Sequence, residues 1–260
     1  MLKRIKQTLP DLPDGQNIAI ALSGGLDSTV LVYLLVNKYG KNNIKAISFD
    51  FGQRHSIELE MAQKTVSILD IEHTIIKLDY LAEISRNSSS LIANSELEPF
   101  TAEENSGNPQ VNTYVPFRNA QFAFITAAFA ETNHCRYIAQ GLNAVDEYGY
   151  WDTSIEFTHQ INNILLLNRE NQITFISPFI EMYKDEELLL AKELNKLFNI
   201  DILKNTWSCY NGKSYNNKEC GVCNTCCEKL RGYIDANYDE EIILNKFNID
   251  KDKLKKLKES

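Results

Sequence analysis

A chain of 260 residues with 43% hydrophobic side chains suits one large domain with a small appendage, and a formal net charge of −8 argues against broad electrostatic binding to nucleic acid. No stretch approaches the roughly 20 apolar residues of a membrane span. The basic start, Met1 to Lys6, has no apolar run before Pro10, so neither a secretory signal nor a membrane partner is expected, and a cytoplasmic location is.

Ile18 to Leu22 is predicted as the first strand, running into Ser23-Gly24-Gly25-Leu26-Asp27-Ser28 and then a helix. The paired glycines let the backbone approach a phosphate, the amides of the helix start point at an anion, and Ser23 and Ser28 add hydroxyl donors. A pyrophosphate cradle is therefore expected over Leu22, Ser23, Gly24, Gly25, Leu26, Asp27, Ser28 and Thr29. Ionised Asp27 cannot donate to phosphate and suits a Mg²⁺ ligand instead. The stretch carries neither the Gly-Lys-Ser/Thr ending of a P-loop nor a Gly-x-Gly-x-x-Gly fingerprint.

A second strand, Ile44 to Phe51, leads to Gln53, whose amide could read a base edge, and to Arg54 and His55. His55 offers either proton transfer, with an ordinary pKa of about 6.5, or a structural hydrogen bond. On the helix predicted over Ser56 to Leu69, Glu58 and Glu60 stand at i, i+2 and face different directions, so no carboxylate pair is expected. After a strand at His73 to Leu78, residues 85–112 are polar with little periodicity and read as a long loop, either a surface insertion or a lid. A helix at Asn119 to Thr132, strands at Arg136 to Gln140 and Ile173 to Ser177, and a helix at Lys184 to Phe198 complete the alternation. The pattern predicts an α/β fold with a doubly wound, mostly parallel, Rossmann-like sheet. In such sheets ligands sit beyond the carboxyl ends of the strands, where residues 23–28, 50–55 and 141–146 would converge. Phe49, Phe51 and Tyr114 suit either base stacking or core packing, and His73, His134 and His159 read as surface or packing residues.

Cys209, Cys220, Cys223 and Cys226 give the spacing C-x₁₀-C-x₂-C-x₂-C. Without an export signal, closely spaced cysteines point to a metal rather than to disulfides. Four thiolates satisfy tetrahedral Zn²⁺ in a closed, structural shell, and an iron–sulfur cluster is the alternative. Cys227 could replace Cys226 as ligand or stand free, while Cys135 reads as a small buried residue.

The Ser-Gly-Gly-Leu-Asp-Ser turn resembles the PP-loop of ATP pyrophosphatases, which cleave ATP between its α and β phosphates to make an adenylate. Adding Ser-Phe-Asp-Phe-Gly-Gln-Arg-His at 48–55, Asn-Thr-Tyr-Val-Pro-Phe-Arg-Asn at 112–119, Gly-Leu-Asn-Ala at 141–144, Thr-Trp-Ser-Cys-Tyr-Asn at 206–211 and the cysteines, the chain resembles the 7-cyano-7-deazaguanine synthase family from about residue 17 to about residue 235. The resemblance implies ATP with Mg²⁺ and Zn²⁺, a homodimer, and a ligase reaction in two stages. Ammonia is joined to 7-carboxy-7-deazaguanine, and the amide is then dehydrated to a nitrile with a second ATP. It also implies that Lys184, in the motif Pro-x-x-x-x-x-Lys, is the pyrophosphate-side cation and that Arg118 makes a bidentate phosphate or carboxylate contact. Asp27, Lys184, Arg118 and His55 are the expected catalytic set. Residues 1–204 are expected to form the ATP-binding domain, and residues 205–260 a zinc-binding segment with a helical tail.

One segment departs from the family, which typically reads Gly-Tyr-Pro-Asp-Cys-Arg-Pro-Glu-Phe where this chain has Gly149-Tyr150-Trp151-Asp152-Thr153-Ser154-Ile155-Glu156-Phe157. The departure leaves the cradle intact and opens a second reading, a diverged ligase that hands the activated carboxylate to another amine, such as a protein N-terminus, and stops at the amide. A third reading, a base-thiolating enzyme or zinc-bearing RNA module, is opposed by the acidic balance and by the lack of a Cys-x-x-Cys outside the cluster.

Overall fold

The computed structural model describes residues 9–11, 15–54, 56–100, 111–143, 150–211 and 217–259. Five parallel strands form one sheet: β1 (Asn17–Ala21), β2 (Ile44–Asp50), β3 (Glu72–Lys77), β4 (Cys135–Ala139) and β5 (Thr174–Ile176). Their order is β3-β2-β1-β4-β5. The intervening helices are α1 (Leu26–Tyr39), α2 (Ser56–Leu69), α3 (Asp79–Ser85), α4 (Arg118–Thr132), α5 (Ile155–Leu165) and α6 (Lys184–Phe198), and a C-terminal run follows as α7 (Asn224–Asp235), α8 (Glu240–Lys246) and α9 (Lys251–Glu259). The doubly wound sheet expected from the alternation is thus present.

Central β1 is apolar on both faces because both are covered, as parallel sheets require. Ile18 and Ile20 join a core with Val30, Leu34 and Ala62 on one side, while Ala19 meets Ala123, Ala127 and Ala130 of α4 on the other. Alanines at i, i+4 and i+7 give α4 a low ridge, so the helix can lie close to a strand that also presents alanine. The edge strand β3 is only half covered, consistent with its charged ends Glu72 and Lys77.

The chain builds outward from β1 to β2 and β3, then returns to place β4 on the other side of β1. The strand order therefore reverses between β1 and β4, and a crevice opens at their carboxyl ends, the position where such sheets bind ligands.

The polar 85–112 stretch is more ordered than a surface excursion over its described part. Ser89, Ser90, Leu91 and Ile92 are buried, Ile92 bridges Gln53, and Arg54 N–H donates to the Leu91 carbonyl at 2.8 Å. Buried Ser89 is satisfied: its Oγ donates to the Thr113 carbonyl at 3.3 Å and accepts from Leu91 N–H at 3.2 Å. Residues 101–110 lie outside the described residues.

The C-terminal helices share the core of the sheet's α1 face, since Cys209, Tyr233, Phe247 and Leu254 belong to the same buried cluster as Leu31 and Leu188. Gly232 lets α7 lie directly on the start of α6; a Cβ there would stand 2.8 Å from Lys184 Cβ.

Gly24 is the tightest point of the fold. Its φ is +89° and a Cβ would fall 2.0 Å from the Glu58 carbonyl oxygen. Gly24→Ala is expected to destabilise the protein by about 2 kcal/mol or more, lowering Tm by roughly 5 °C. An unchanged Tm in a thermal denaturation scan would contradict this packing.

Candidate functional site

The crevice between β1 and β4 is a cleft of about 200 Å³ that gathers Ser23, Gly25, Asp27, Ser28, Arg118 and Lys184 on its walls. Sequence-distant groups from α1, α4 and α6 thus meet at one place.

The phosphate turn is closed by its own hydroxyls. Ser23 Oγ lies 3.0 Å from Ser28 Oγ and accepts from Gly25 N–H at 3.1 Å, and Ser28 Oγ accepts from Ser23 N–H at 3.2 Å. Helix α1 begins at Leu26 behind Gly25, a residue with no side chain to cap the first-turn amides. Leu22, Leu26 and Asp27 line the cleft with the serines. Gly24 packs instead against α2, and Thr29 is fully buried in α1; neither lines the cleft.

Lys184 Nζ stands 2.7 Å from Asp27 Oδ1 and 3.9 Å from Glu187 Oε1, and Asn143 Nδ2 donates to the same Glu187 oxygen at 2.7 Å. Burial pushes Asp27 up, but the Lys184 charge together with hydrogen bonding to Glu187 and Lys184 and the Lys229 charge outweighs it and holds Asp27 below the ordinary carboxylate range. Glu187, wholly buried, is driven well above its ordinary value by burial and by the charge of Asp27. The pair thus favours negative charge on Asp27, the group facing the cleft, over Glu187. An ionised oxygen donor beside a phosphate turn fits Mg²⁺.

Arg118 opens α4 immediately after Phe117, which sits at a left-handed φ of 55° and is 60% exposed. Its guanidinium lies 5.9 Å from the Tyr150 ring centroid. The 150–153 segment is pinned to the same helix start, because Asp152 accepts from Asn119 N–H at 3.1 Å and from Asn119 Nδ2 at 3.3 Å. Tyr150 and Thr153 consequently line the same cleft as the phosphate turn, while Trp151 turns outward and donates to Tyr114 Oη at 2.8 Å.

Phe49, Phe51 and Phe122 form an apolar wall, the first and last stacked at 4.2 Å between centroids. Gln53 lines the cleft, but its amide is engaged on the strand-end backbone, accepting from Phe51 N–H at 2.8 Å and donating to the Phe49 carbonyl at 3.2 Å. Arg54 points away from the cleft and ties down Glu98 and the carbonyls of Ser95 and Leu97. His55 lies outside the described residues.

The sulfurs of Cys209, Cys220, Cys223 and Cys226 all lie within 4.8 Å of one another and are buried. Cys220 Sγ accepts from Val222 N–H at 3.4 Å and Cys223 N–H at 3.3 Å, the amide contacts expected of a thiolate ligand. Cys227 is outside the cluster, its thiol donating to the Val222 carbonyl at 3.5 Å. The regular x₂ spacing therefore selected the right cysteine, and four soft donors without a free position suit a structural metal.

Residues unseen in the sequence complete the site. Lys229, 1% exposed on α7, contacts Glu219 Oε1 at 2.8 Å, Ser208 Oγ at 3.4 Å and Thr206 Oγ1 at 3.3 Å. Lys246 reaches the same Glu219 oxygen at 3.2 Å, and the two lysines overcome burial to hold Glu219 below its ordinary value. Ser208 Oγ accepts from Leu26 N–H at 3.2 Å and Trp207 N–H donates to the Gly24 carbonyl at 2.9 Å, so the cysteine segment grips the phosphate turn. Glu58 also lines the cleft. Its helical position was readable, whereas a buried lysine–glutamate pair has no sequence signature.

A family model described as queuosine biosynthesis protein QueC matches residues 17–237. A 7-cyano-7-deazaguanine synthase of Picrophilus torridus is 36% identical over 226 residues, covering 85% of this chain and 88% of the relative. One of Methanocaldococcus jannaschii is 31% identical over 225 residues, covering 85% and 95%. Among solved structures, the U34-tRNA thiolase NcsA of Methanococcus maripaludis with its 4Fe-4S cluster is 23% identical with a TM-score of 0.47, covering 75% of this chain and 62% of that one, and so weak a likeness bears on neither activity nor cofactor. By its match across residues 17–237, and with the phosphate turn and cysteine cluster assembled as described, this chain belongs to the QueC family.

Proposed function

We propose that this chain is an AMP-forming carbon–nitrogen ligase that adenylates 7-carboxy-7-deazaguanine with ATP, amidates it with ammonia and dehydrates the amide to 7-cyano-7-deazaguanine. The observation that carries the reading is the convergence of the Ser23–Ser28 turn, the Asp27–Lys184 pair and Arg118 in one cleft of a chain whose relatives are named 7-cyano-7-deazaguanine synthase. A carboxylate is a poor acyl donor because its leaving group would be oxide, and adenylation replaces that with AMP.

In this reading the turn holds the pyrophosphate portion of ATP through backbone amides and the Ser23 and Ser28 hydroxyls. Lys184, already oriented by Asp27, meets the charge that grows on the departing pyrophosphate. Asp27 would hold Mg²⁺, which would supply screening of phosphate charge. The Phe49, Phe51 and Phe122 wall takes the apolar faces of a base, and Arg118 with Tyr150 receives the carboxylate of the acceptor. Zn²⁺ in the four-cysteine shell has a structural role, holding residues 205–260 against the turn as a functional unit beside the ATP-binding domain of residues 1–204. The same reading assigns a homodimer and a cytoplasmic location; no helix among the described residues is long and apolar enough to cross a membrane.

The placement of Thr153 in the cleft wall favours a second reading, transfer of the activated carboxylate to another amine with an amide as end product. Thr153 stands where the family pattern has cysteine, beside Ser154 where it has arginine. Mass analysis of the product formed from ATP, Mg²⁺, ammonium and 7-carboxy-7-deazaguanine separates the two. A nitrile supports the full reaction, an accumulating amide or a protein conjugate supports the diverged ligase, and no pyrophosphate release excludes both.

Asp27→Asn and Lys184→Ala are each expected to slow pyrophosphate release by roughly 10²–10³, with the fold retained by circular dichroism. A near-normal rate for the Lys184 variant would remove its assigned role.

Elemental analysis should find about one Zn²⁺ per chain. Cys220→Ser is expected to lose the metal and Cys227→Ser to keep it. Iron with sulfide, or equal metal loss in both variants, would overturn the assignment.

A further inference from the structure

Glu58 stands in the first turn of α2, where the close contact of Gly24 with its backbone carbonyl ties it to the phosphate turn. Its side chain lines the cleft between the two halves of the proposed chemistry. The charged groups facing it are Arg118 of α4, Asp27 of α1, and Glu219 and Lys229 of the C-terminal segment. In the reading above Asp27 and Lys229 belong to the phosphate side and Arg118 to the acceptor wall, and Glu58 lines the same cleft as all three.

Four other carboxyls in and near the cleft have named partners that explain them. Asp27 is paired with Lys184, Asp152 is held by Asn119, Glu187 by Asn143, and Glu219 by two lysines. Among the described residues, no hydrogen bond or ion pair holds the Glu58 carboxyl, which is part-exposed in the cleft wall. Burial pushes it up to about 8, with the Arg118 charge pulling the other way. A carboxyl with that value is half ionised near pH 8 and more basic than an ordinary glutamate.

We propose that Glu58 is the general base that accepts the proton of the attacking amine when the acyl adenylate becomes an amide. The step rests on the adenylation reading above. The nitrogen lone pair forms the C–N bond at the adenylate carbonyl, the bond from that carbon to the phosphate oxygen breaks with its electron pair leaving on AMP, and the proton on nitrogen passes to the Glu58 carboxylate. The products are amide, AMP and protonated Glu58, with no further reactant needed.

The test compares wild type, Glu58→Gln and Glu58→Asp in three assays. The first is exchange of labelled pyrophosphate into ATP in the presence of 7-carboxy-7-deazaguanine. The second is amide formation from about pH 6 to about pH 9 at constant free ammonia, and the third is trapping by hydroxylamine, an α-effect nucleophile that attacks an activated acyl group with less help from a base. For Glu58→Gln, exchange and hydroxamate formation are expected within about threefold of wild type, while amide formation falls by roughly 10²-fold or more. The wild-type rate should climb to a plateau above about 8, the Gln variant should lack that limb, and the Asp variant should regain it. Amide formation within threefold of wild type in Glu58→Gln, or parallel loss of exchange, hydroxamate and amide in both variants, would overturn the proposal. Absence of exchange in the wild type would overturn the adenylation reading, and the base with it.

Discussion

The hold on the Ser23–Ser28 turn is the constraint on which the site depends. The turn does not satisfy its amides by regular structure: those of Ser23, Gly25 and Leu26 rest on exchangeable serine hydroxyls, so something outside the turn has to fix its shape. Here two elements do so from opposite sides. The backbone of α2 presses against Gly24, and the cysteine segment donates Trp207 N–H to the Gly24 carbonyl while Ser208 takes the Leu26 amide. A metal in the four-cysteine shell thus has a mechanical route to the nucleotide turn although it lies outside the chemistry.

That route is also electrostatic. Glu219 joins Lys229 and Lys246 under the turn and approaches Cys226 Sγ at 3.9 Å, linking the cluster to the cleft through buried charges. Buried ion pairs of this kind add little net stability, because desolvation offsets most of their attraction. Their value lies in orientation: charges already fixed in place need no reorganisation when phosphate charge develops. The same logic applies to Asp27, Lys184 and Glu187, where contacts to both carboxyls fix Lys184 in the cleft wall.

The acceptor side is built differently, on the start of α4. Asp152 substitutes for a helix cap by taking the Asn119 amide, and Arg118 emerges beside it with its guanidinium near Tyr150. Because this anchor depends on Asp152, the chain can vary at Trp151, Thr153 and Ser154 without moving the helix. The cleft wall at Thr153 can therefore vary while the Ser23–Ser28 turn stays unchanged.

Strand alternation, the glycine turn, the position of α6 and the four ligand cysteines were legible in the sequence because each rests on local chemistry: side-chain period, missing Cβ atoms, short ligand spacing. Arg118 and Lys184 were legible only through motifs, since either charge alone reads as a solvated surface residue. What the sequence could not show is which polar groups face one another across a distance. Gln53 has the composition of a base reader, yet its amide closes its own turn; Arg54 follows it directly and turns to the 95–98 backbone. Lys229 looks like an ordinary helical lysine until Glu219 meets it in the core, and Glu58 is one acidic residue among several until α2 packs on Gly24. The sequence by itself determined the α/β frame, the phosphate turn and the metal set, because those are properties of neighbouring residues. Only the tertiary structure decided which carboxyls are buried, which are paired and which line the cleft, because burial and charge compensation depend on segments far apart in the chain.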